Sequence, residues 1–235
     1  MSEPIRWYRA ADGSQQVYIK DSTIEEIAEA ELYRAGLLPK GDQAVVDIEG
    51  FIERHLGADL DVGAELDPDV LGLTELRAGS KPQVRINRYL TDASVEVDGY
   101  SGTLGRWRAT LAHEAAHVML HSFLFELNAD QETLFDDAPT DQARLFRCLK
   151  REVVFAGRGG RDPREVQANK GMAALLMPRT LFGTRAREAA PTVAVDELVD
   201  QLARLFEVSR QATRIRLGTL GFIEPDGTYV TGIVP

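Results

Sequence analysis

Cysteine occurs once in this chain, at Cys148, and histidine only four times. A single thiol excludes an intramolecular disulfide and any cysteine-rich metal cluster, and it suits a reducing compartment. Long apolar runs are absent too, since no stretch approaches the roughly 18 residues that a spanning helix needs. The N-terminus, Met1-Ser2-Glu3-Pro4-Ile5-Arg6, lacks the basic-then-apolar order of a secretory signal. The expectation is a soluble, cytoplasmic protein with no membrane contact. Positive charge is also scarce: 27 Lys and Arg stand against 37 Asp and Glu, a formal net charge of -10. Such a chain repels phosphate backbones at long range, which argues against DNA binding through bulk electrostatics. No internal repeat or low-complexity tract is present. What the chain has is 44% hydrophobic residues over 235 positions, enough for a packed core without staples. That length allows one domain with an appendage or two small ones.

Periodicity divides the chain. The first 20 residues suggest an extended arm. Ser22-Thr23-Ile24-Glu25 has the form of a capping box, and Ile24, Ile27, Ala28, Leu32 and Ala35 then recur at helical spacing up to Gly36. Asp47 is placed to cap a second helix carrying Ile48, Phe51, Ile52 and Leu56, closed by Gly57. Between Asp59 and Val97 short, partly alternating apolar runs predict a small sheet of about three strands. A long helix is expected from Trp107 to Leu127, and a short helical pattern around Ala143 to Glu152. Asp162-Pro163-Arg164-Glu165 opens another helix that runs to Pro178. Two further helices are expected near Val195–Phe206 and Ser209–Leu217, then a hairpin turning at Pro225-Asp226-Gly227.

The chemistry concentrates in His113-Glu114-Ala115-Ala116-His117. Histidines four apart on a helix project from one face about one turn apart, so both imidazoles can reach one ion. Zinc prefers such nitrogen ligands at about 2.0–2.1 Å. Glu114 is turned away from that face, where it can act as a general base toward the attacking water. The flanking Leu111, Ala112, Ala115, Val118, Met119 and Leu120 are apolar, and buried histidines need partners. One straight helix cannot complete a tetrahedral site, so a third ligand must come from elsewhere. His121 lies about 12 Å along the helix from His113 at roughly 1.5 Å per residue, too far to be that ligand. It reads as a core residue or as a support for a ligand. Phe123 occupies the position six after His117, so the long three-histidine pattern is absent. Acidic candidates are Glu126, Asp130, Asp136, Asp137, Asp141 and Glu165. Glu165 has the best setting, with the small Ala168 after it and Asn169 one turn on, placed to orient a ligand imidazole. Its other reading is a capping-box glutamate answering Asp162, and residue mechanics leave the two in balance.

The segment Arg108-Ala109-Thr110-Leu111-Ala112 followed by His113-Glu114-Ala115-Ala116-His117 resembles the core motif of the ImmA/IrrE family of bacterial metallopeptidases. So does Glu165-Val166-Gln167-Ala168-Asn169, followed by Met172 and by Leu175-Leu176-Met177-Pro178. The resemblance covers roughly Ile24 to Ile223 and is most specific at these two motifs. Ala116 stands where the family often has glycine, and the segment between the motifs, 118–164, is long for it. The resemblance implies an α+β, zincin-like domain, with helices around a small sheet, and it makes Glu165 the third ligand beside His113 and His117. The implied cofactor is Zn2+, with Mn2+ or Fe2+ fitting the same ligands, and the implied catalytic base is Glu114. It further implies limited cleavage of a specific protein, a helix-turn-helix transcriptional repressor, in stress, phage or mobile-element regulation. His55, Tyr89, Tyr100 and Arg108 are oxyanion-stabilising candidates on chemistry alone.

Residues 202–217 are similar to a helix-turn-helix, with Ala203 between the helices and Ser209 as a cap. Members of the family often carry such a region. Glu207, however, stands where many such motifs have a turn glycine. From Val195 onward six acids face four arginines, although Arg210 and Arg214 share one helix face. A structural helical hairpin is the favoured reading over a DNA reader. The expected organisation is a metallopeptidase domain over 1–190 and a helical C-terminal region with a short β tail over 191–235. The alternative function is a non-hydrolytic metal-binding regulator, or a toxin–antitoxin component, acting by protein or DNA contact. Glu114 speaks for the enzyme, since a binding fold has no need of a general base.

Overall fold

The N-terminal arm folds back on itself as a hairpin. In this computed structural model, which describes residues 5–9, 15–41, 44–95, 102–123, 144–149 and 162–232, β1 (Ile5–Arg9) pairs antiparallel with β2 (Gln15–Ile19). Strand alternation separates two faces: Val17 and Ile19 are buried, and Tyr18 between them is exposed. Helix α1 (Asp21–Arg34) buries Ile24, Ala28 and Leu32, the stripe that periodicity predicts. Its start differs from the prediction. Lys20 is the N-cap and no side chain caps the helix, so the Ser22–Glu25 capping box does not form. Glu25 is held instead by Arg216. Helix α2 (Ile48–Gly50) does use the expected cap: Asp47 accepts from the Gly50 N–H at 2.9 Å. That hydrogen bond holds the Asp47 carboxyl below its usual range. The chain continues through a π-helical turn, Phe51–His55.

Four strands form the sheet, in the order β3, β5, β4, β6: β3 (Asp59–Ala64), β4 (Val70–Leu76), β5 (Gln83–Asn87) and β6 (Arg144–Leu149). The β3–β5 pair is parallel and the other two are antiparallel. Strand β6 corrects the helix expected around residues 143–152. A short apolar run carries no decisive period, and pairing along β4 outweighs local propensity. Helix α3 (Arg88–Val95) follows β5 directly, in a stretch that the sequence assigned to sheet alone.

Helix α4 (Thr103–His121) lies against β4 and carries the histidine motif. Helix α5 (Pro163–Leu176) starts as predicted, with Asp162 accepting from the Arg164 N–H at 2.9 Å and proline at the first position. It makes the most extensive helix–helix packing with α4 and also packs on α1 and β2. Helix α6 (Arg179–Ala189) was not anticipated. Helices α7 (Val195–Phe206) and α8 (Arg210–Thr219) match expectation within two residues. In the tail, Ile223 bridges to Tyr229 around the expected turn, where Asp226 accepts from the Thr228 N–H at 2.9 Å. The architecture is α+β. No helix among the described residues is long and apolar enough to cross a membrane.

One apolar cluster runs from Val17 to Ile223 and includes Leu198, Phe206 and Leu217 of the last helices. A buried cation adds to that attachment. Arg216 donates through Nη2 to Glu25 Oε2 at 2.7 Å and to the Met177 carbonyl at 2.7 Å, with its side chain only 2% exposed. Removing one member of such a buried pair strands the other. Arg216→Ala is therefore expected to lower the unfolding free energy by about 3–5 kcal/mol. Arg210→Ala, whose side chain is 58% exposed, should cost less than about 1 kcal/mol. Urea unfolding of both variants checks this, and equal small losses would count against a structural role for the buried pair.

Candidate metal centre

Helix α4 stacks His113, His117 and His121 along one buried stripe at i, i+4 and i+8. The first turn of α5 brings Glu165 onto it. Glu165 Oε2 lies 3.2 Å from His113 Nε2, and Oε1 lies 3.4 Å from His117 Nε2. The two Nε2 atoms are 3.1 Å apart. The helices reach this proximity because their contact is built from small residues. A Cβ at Gly171 would stand 2.7 Å from Ala116 Cβ and 3.1 Å from Leu120 Cδ1, closer than packed carbons allow. Gly171 thus makes room for the alanine at position 116.

Hydrogen bonds orient the rings. Asn169 turns its amide oxygen to His113 Nδ1 at 3.2 Å, so Nδ1 carries the proton and the lone pair is on Nε2. Glu165 thus brings a carboxylate within hydrogen-bond distance of both ring Nε2 atoms, a donor set of the kind that holds a metal. The neighbours also act on the proton affinity of His113. Burial pushes its pKa down, but hydrogen bonding to Glu165 and the charges of Glu114 and Glu165 outweigh burial and raise it. Burial lowers His117 to about 4 and His121 to about 3. Burial also works against the Glu165 carboxylate, yet its hydrogen bonds to the two histidines hold it well below the usual carboxylate range.

A transition metal suits the same space. All three ligand-type atoms lie within 4.8 Å of one another. Tetrahedral ligands at about 2.0–2.1 Å from zinc stand about 3.3 Å apart, close to the separations found here. Glu165 is therefore directed at the histidines and not back at its own helix terminus, although its N–H does close the first turn on the Asp162 carbonyl at 3.0 Å.

Glu114 lies on the same helix, close enough to His113 and Glu165 to feel their charges. It is fully buried, and Oε2 accepts from the Thr74 hydroxyl at 2.5 Å. Oε1 has no hydrogen-bond partner among the described residues. Burial, opposed by His113 and Thr74, raises this carboxyl to about 7. Beneath it lies Gly72 of β4, where a Cβ would come within 2.6 Å of Oε1 and 2.8 Å of Thr110 Cγ2.

Of the oxyanion candidates, Arg108 is buried and donates to the Val46 carbonyl at 3.2 Å, with Glu207 3.9 Å from its Nε. His55 stacks on Phe51 and bonds Glu31 at 2.7 Å. Tyr89 lies half-exposed on α3. Tyr100 and the alternative acidic candidates Glu126, Asp130, Asp136, Asp137 and Asp141 lie outside the described residues. Sequence reasoning missed Gly72, Thr74 and Gln167. Gly72 and Thr74 lie far from the motif in the chain and reach it only through the strand–helix contact. Gln167 sits inside the second motif but was not singled out.

Residues 100–218 match the Peptidase M78 family model, described as the IrrE N-terminal-like domain. The chain belongs to this family. The match takes in α4 and α5, the two helices that build the centre, so the chain is of a metallopeptidase type. No curated protein matches the sequence. Among solved structures, a Mycobacterium tuberculosis transcriptional regulator is similar, with a TM-score of 0.48 and 17% identity over 91% of this chain and 50% of that one. The chain thus spans about half the length of that regulator.

Gly72→Ala tests the contact beneath Glu114. The added methyl must displace the carboxylate or the stiff Thr110 side chain, so a destabilisation of about 1–3 kcal/mol is expected. Urea unfolding measures it, and a neutral substitution would mean that β4 and α4 separate easily.

Proposed function

We propose that this protein is a metal-dependent endopeptidase, with zinc held by His113, His117 and Glu165, that cuts a specific protein substrate. Mn2+ or Fe2+ would suit the same donors. The observation that carries the reading is Glu114 Oε1, a buried carboxylate oxygen with no hydrogen-bond partner among the described residues, on the helix that presents both histidines. When bound, the metal supplies Lewis acidity, polarising the scissile carbonyl and making water more acidic. Glu114 accepts the proton of the attacking water at Oε1 and delivers it to the leaving amine. The Thr74 hydroxyl fixes the other oxygen, so the base keeps one orientation. Asn169 keeps His113 Nε2 free of its proton. The raised proton affinity of Glu114 suits a group that must both take and return a proton near neutrality.

The substrate we infer from the family resemblance is a helix-turn-helix repressor, cleaved by limited proteolysis in stress, phage or mobile-element regulation. We take the C-terminal region, 191–235, as support for the peptidase domain, 1–190. Several contacts favour support over DNA reading. Arg216 is buried against Glu25 and the Met177 carbonyl. Arg210 pairs with Asp200 and Asp196, and Arg214 with Asp196, so both arginines of the presumed reading face are neutralised within the protein. The turn between α7 and α8 places Glu207 in the left-handed region, φ 52°, with its carboxylate toward Arg108 of the motif helix. Isolated protein is accordingly expected to show no salt-sensitive binding to random duplex DNA at physiological ionic strength. Micromolar binding lost in Arg210→Ala/Arg214→Ala would overturn the supporting role.

The second reading is a metal-binding regulator that acts by contact, and Glu114 separates the two. Wild-type protein should bind about one metal ion per chain, and Glu165→Ala should weaken zinc binding by roughly 10-fold or more. Glu114→Gln should keep metal content and fold, while repressor cleavage, followed by mass spectrometry, falls by roughly 10²-fold or more. Unchanged regulation in Glu114→Gln, with no cleaved repressor in either strain, would exclude the peptidase.

A further inference from the structure

Behind His117 runs a chain of polar contacts that the proposed catalysis does not use. His117 Nδ1 is 3.3 Å from His121 Nδ1. His121 Nε2 is 3.2 Å from Gln167 Oε1, and Gln167 Nε2 donates to the Val17 carbonyl at 2.7 Å. His117 and His121 are fully buried and Gln167 nearly so.

The direction of this chain follows from its last atom. A main-chain carbonyl only accepts, so Gln167 must turn its NH2 to Val17 and its oxygen to His121. That oxygen also only accepts, so His121 carries its proton on Nε2. With His121 neutral, its lone pair lies on Nδ1, 3.3 Å from His117 Nδ1, which then donates to it. In that arrangement His117 carries its proton on Nδ1 and its lone pair on Nε2, the atom that faces Glu165 and His113.

We propose that His121 and Gln167 are positioning residues that fix the tautomer and ring orientation of His117 for metal binding, with the backbone of β2 as the anchor. The proposal rests on the metal-centre reading above. A ligand imidazole whose second nitrogen is already committed loses no affinity to tautomer selection and does not rotate. The arrangement also joins the N-terminal hairpin to the centre, because the terminal acceptor belongs to β2 and the relay residue to α5.

Gln167→Glu and Gln167→Leu divide the possibilities. The glutamate keeps an acceptor for His121 Nε2–H but cannot donate to Val17, and the leucine keeps neither. Zinc affinity of the purified full chain, measured by competition with a fluorescent chelator, should fall roughly 10-fold or more in Gln167→Leu and stay within about threefold of wild type in Gln167→Glu. If Gln167 merely ties the hairpin to α5, both variants lose affinity alike, and that result overturns the proposal, as does wild-type affinity in Gln167→Leu. Long-range proton–nitrogen NMR of histidine-labelled, metal-free wild-type protein gives a test that needs no variant. His117 should be protonated at Nδ1 and His121 at Nε2, and the opposite tautomer at His121 overturns the assignment. Should wild-type protein bind no zinc, the metal-centre reading falls first, a result distinct from equal binding by wild type and Gln167→Leu.

Discussion

Everything around the centre depends on holding two buried imidazoles and a partly buried carboxylate together. Two imidazole lone pairs and a carboxylate repel one another, and burial removes the solvent that would screen them. The helix pair α4 and α5 imposes the arrangement through apolar packing from Ala116, Leu120 and Gly171. The resulting electrostatic debt falls due at a single point, the space enclosed by His113, His117 and Glu165. A metal ion held there, as proposed, would cross-link two helices that lie far apart in sequence.

Around this point the donors are arranged in layers. Asn169 faces one nitrogen of His113 and His121 one nitrogen of His117. Thr74 does the equivalent for Glu114, committing one oxygen while the other has no hydrogen-bond partner among the described residues. These three supports come from three elements: α5, α4 and β4. The sheet meets Glu114 at β4, where Gly72 gives the carboxylate its space. The C-terminal helices take no place in the centre, yet Glu207 and Arg216 tie them to α4 and α1. These charged contacts add to the apolar packing that already joins the last helices to the core.

Much of this was legible in the sequence because its causes are local. The i, i+4 spacing of His113 and His117 puts both rings on one face whatever surrounds the helix. Asp162 and Pro163 start α5 by backbone chemistry confined to one turn. The direction of the Glu165 side chain was not legible from mechanics alone, because cap and ligand use the same residue at the same position. The family resemblance favoured the second, and the distances to His113 and His117 agree with that direction. Strand β6 was misread as helix because its state is decided by pairing with β4, about 70 residues earlier in the chain. The Ser22 capping box failed for a related reason: Glu25 has a stronger partner in Arg216, which no local window contains. Gly72 and Thr74 escaped notice because a glycine and a threonine in a strand have no distinguishing pattern until a helix lies across them.

The anchor of the polar chain behind His117 is the carbonyl of Val17, an atom that every amino acid supplies. The outward face of the hairpin, where Tyr18 is exposed, owes nothing to the metal centre. Its side chains are free to diverge in size and charge while the strand path, and hence the imidazole behind it, stays unchanged. A surface beside the centre can thus be rewritten without altering the chemistry within. This separates the evolution of what the protein touches from the evolution of what it does.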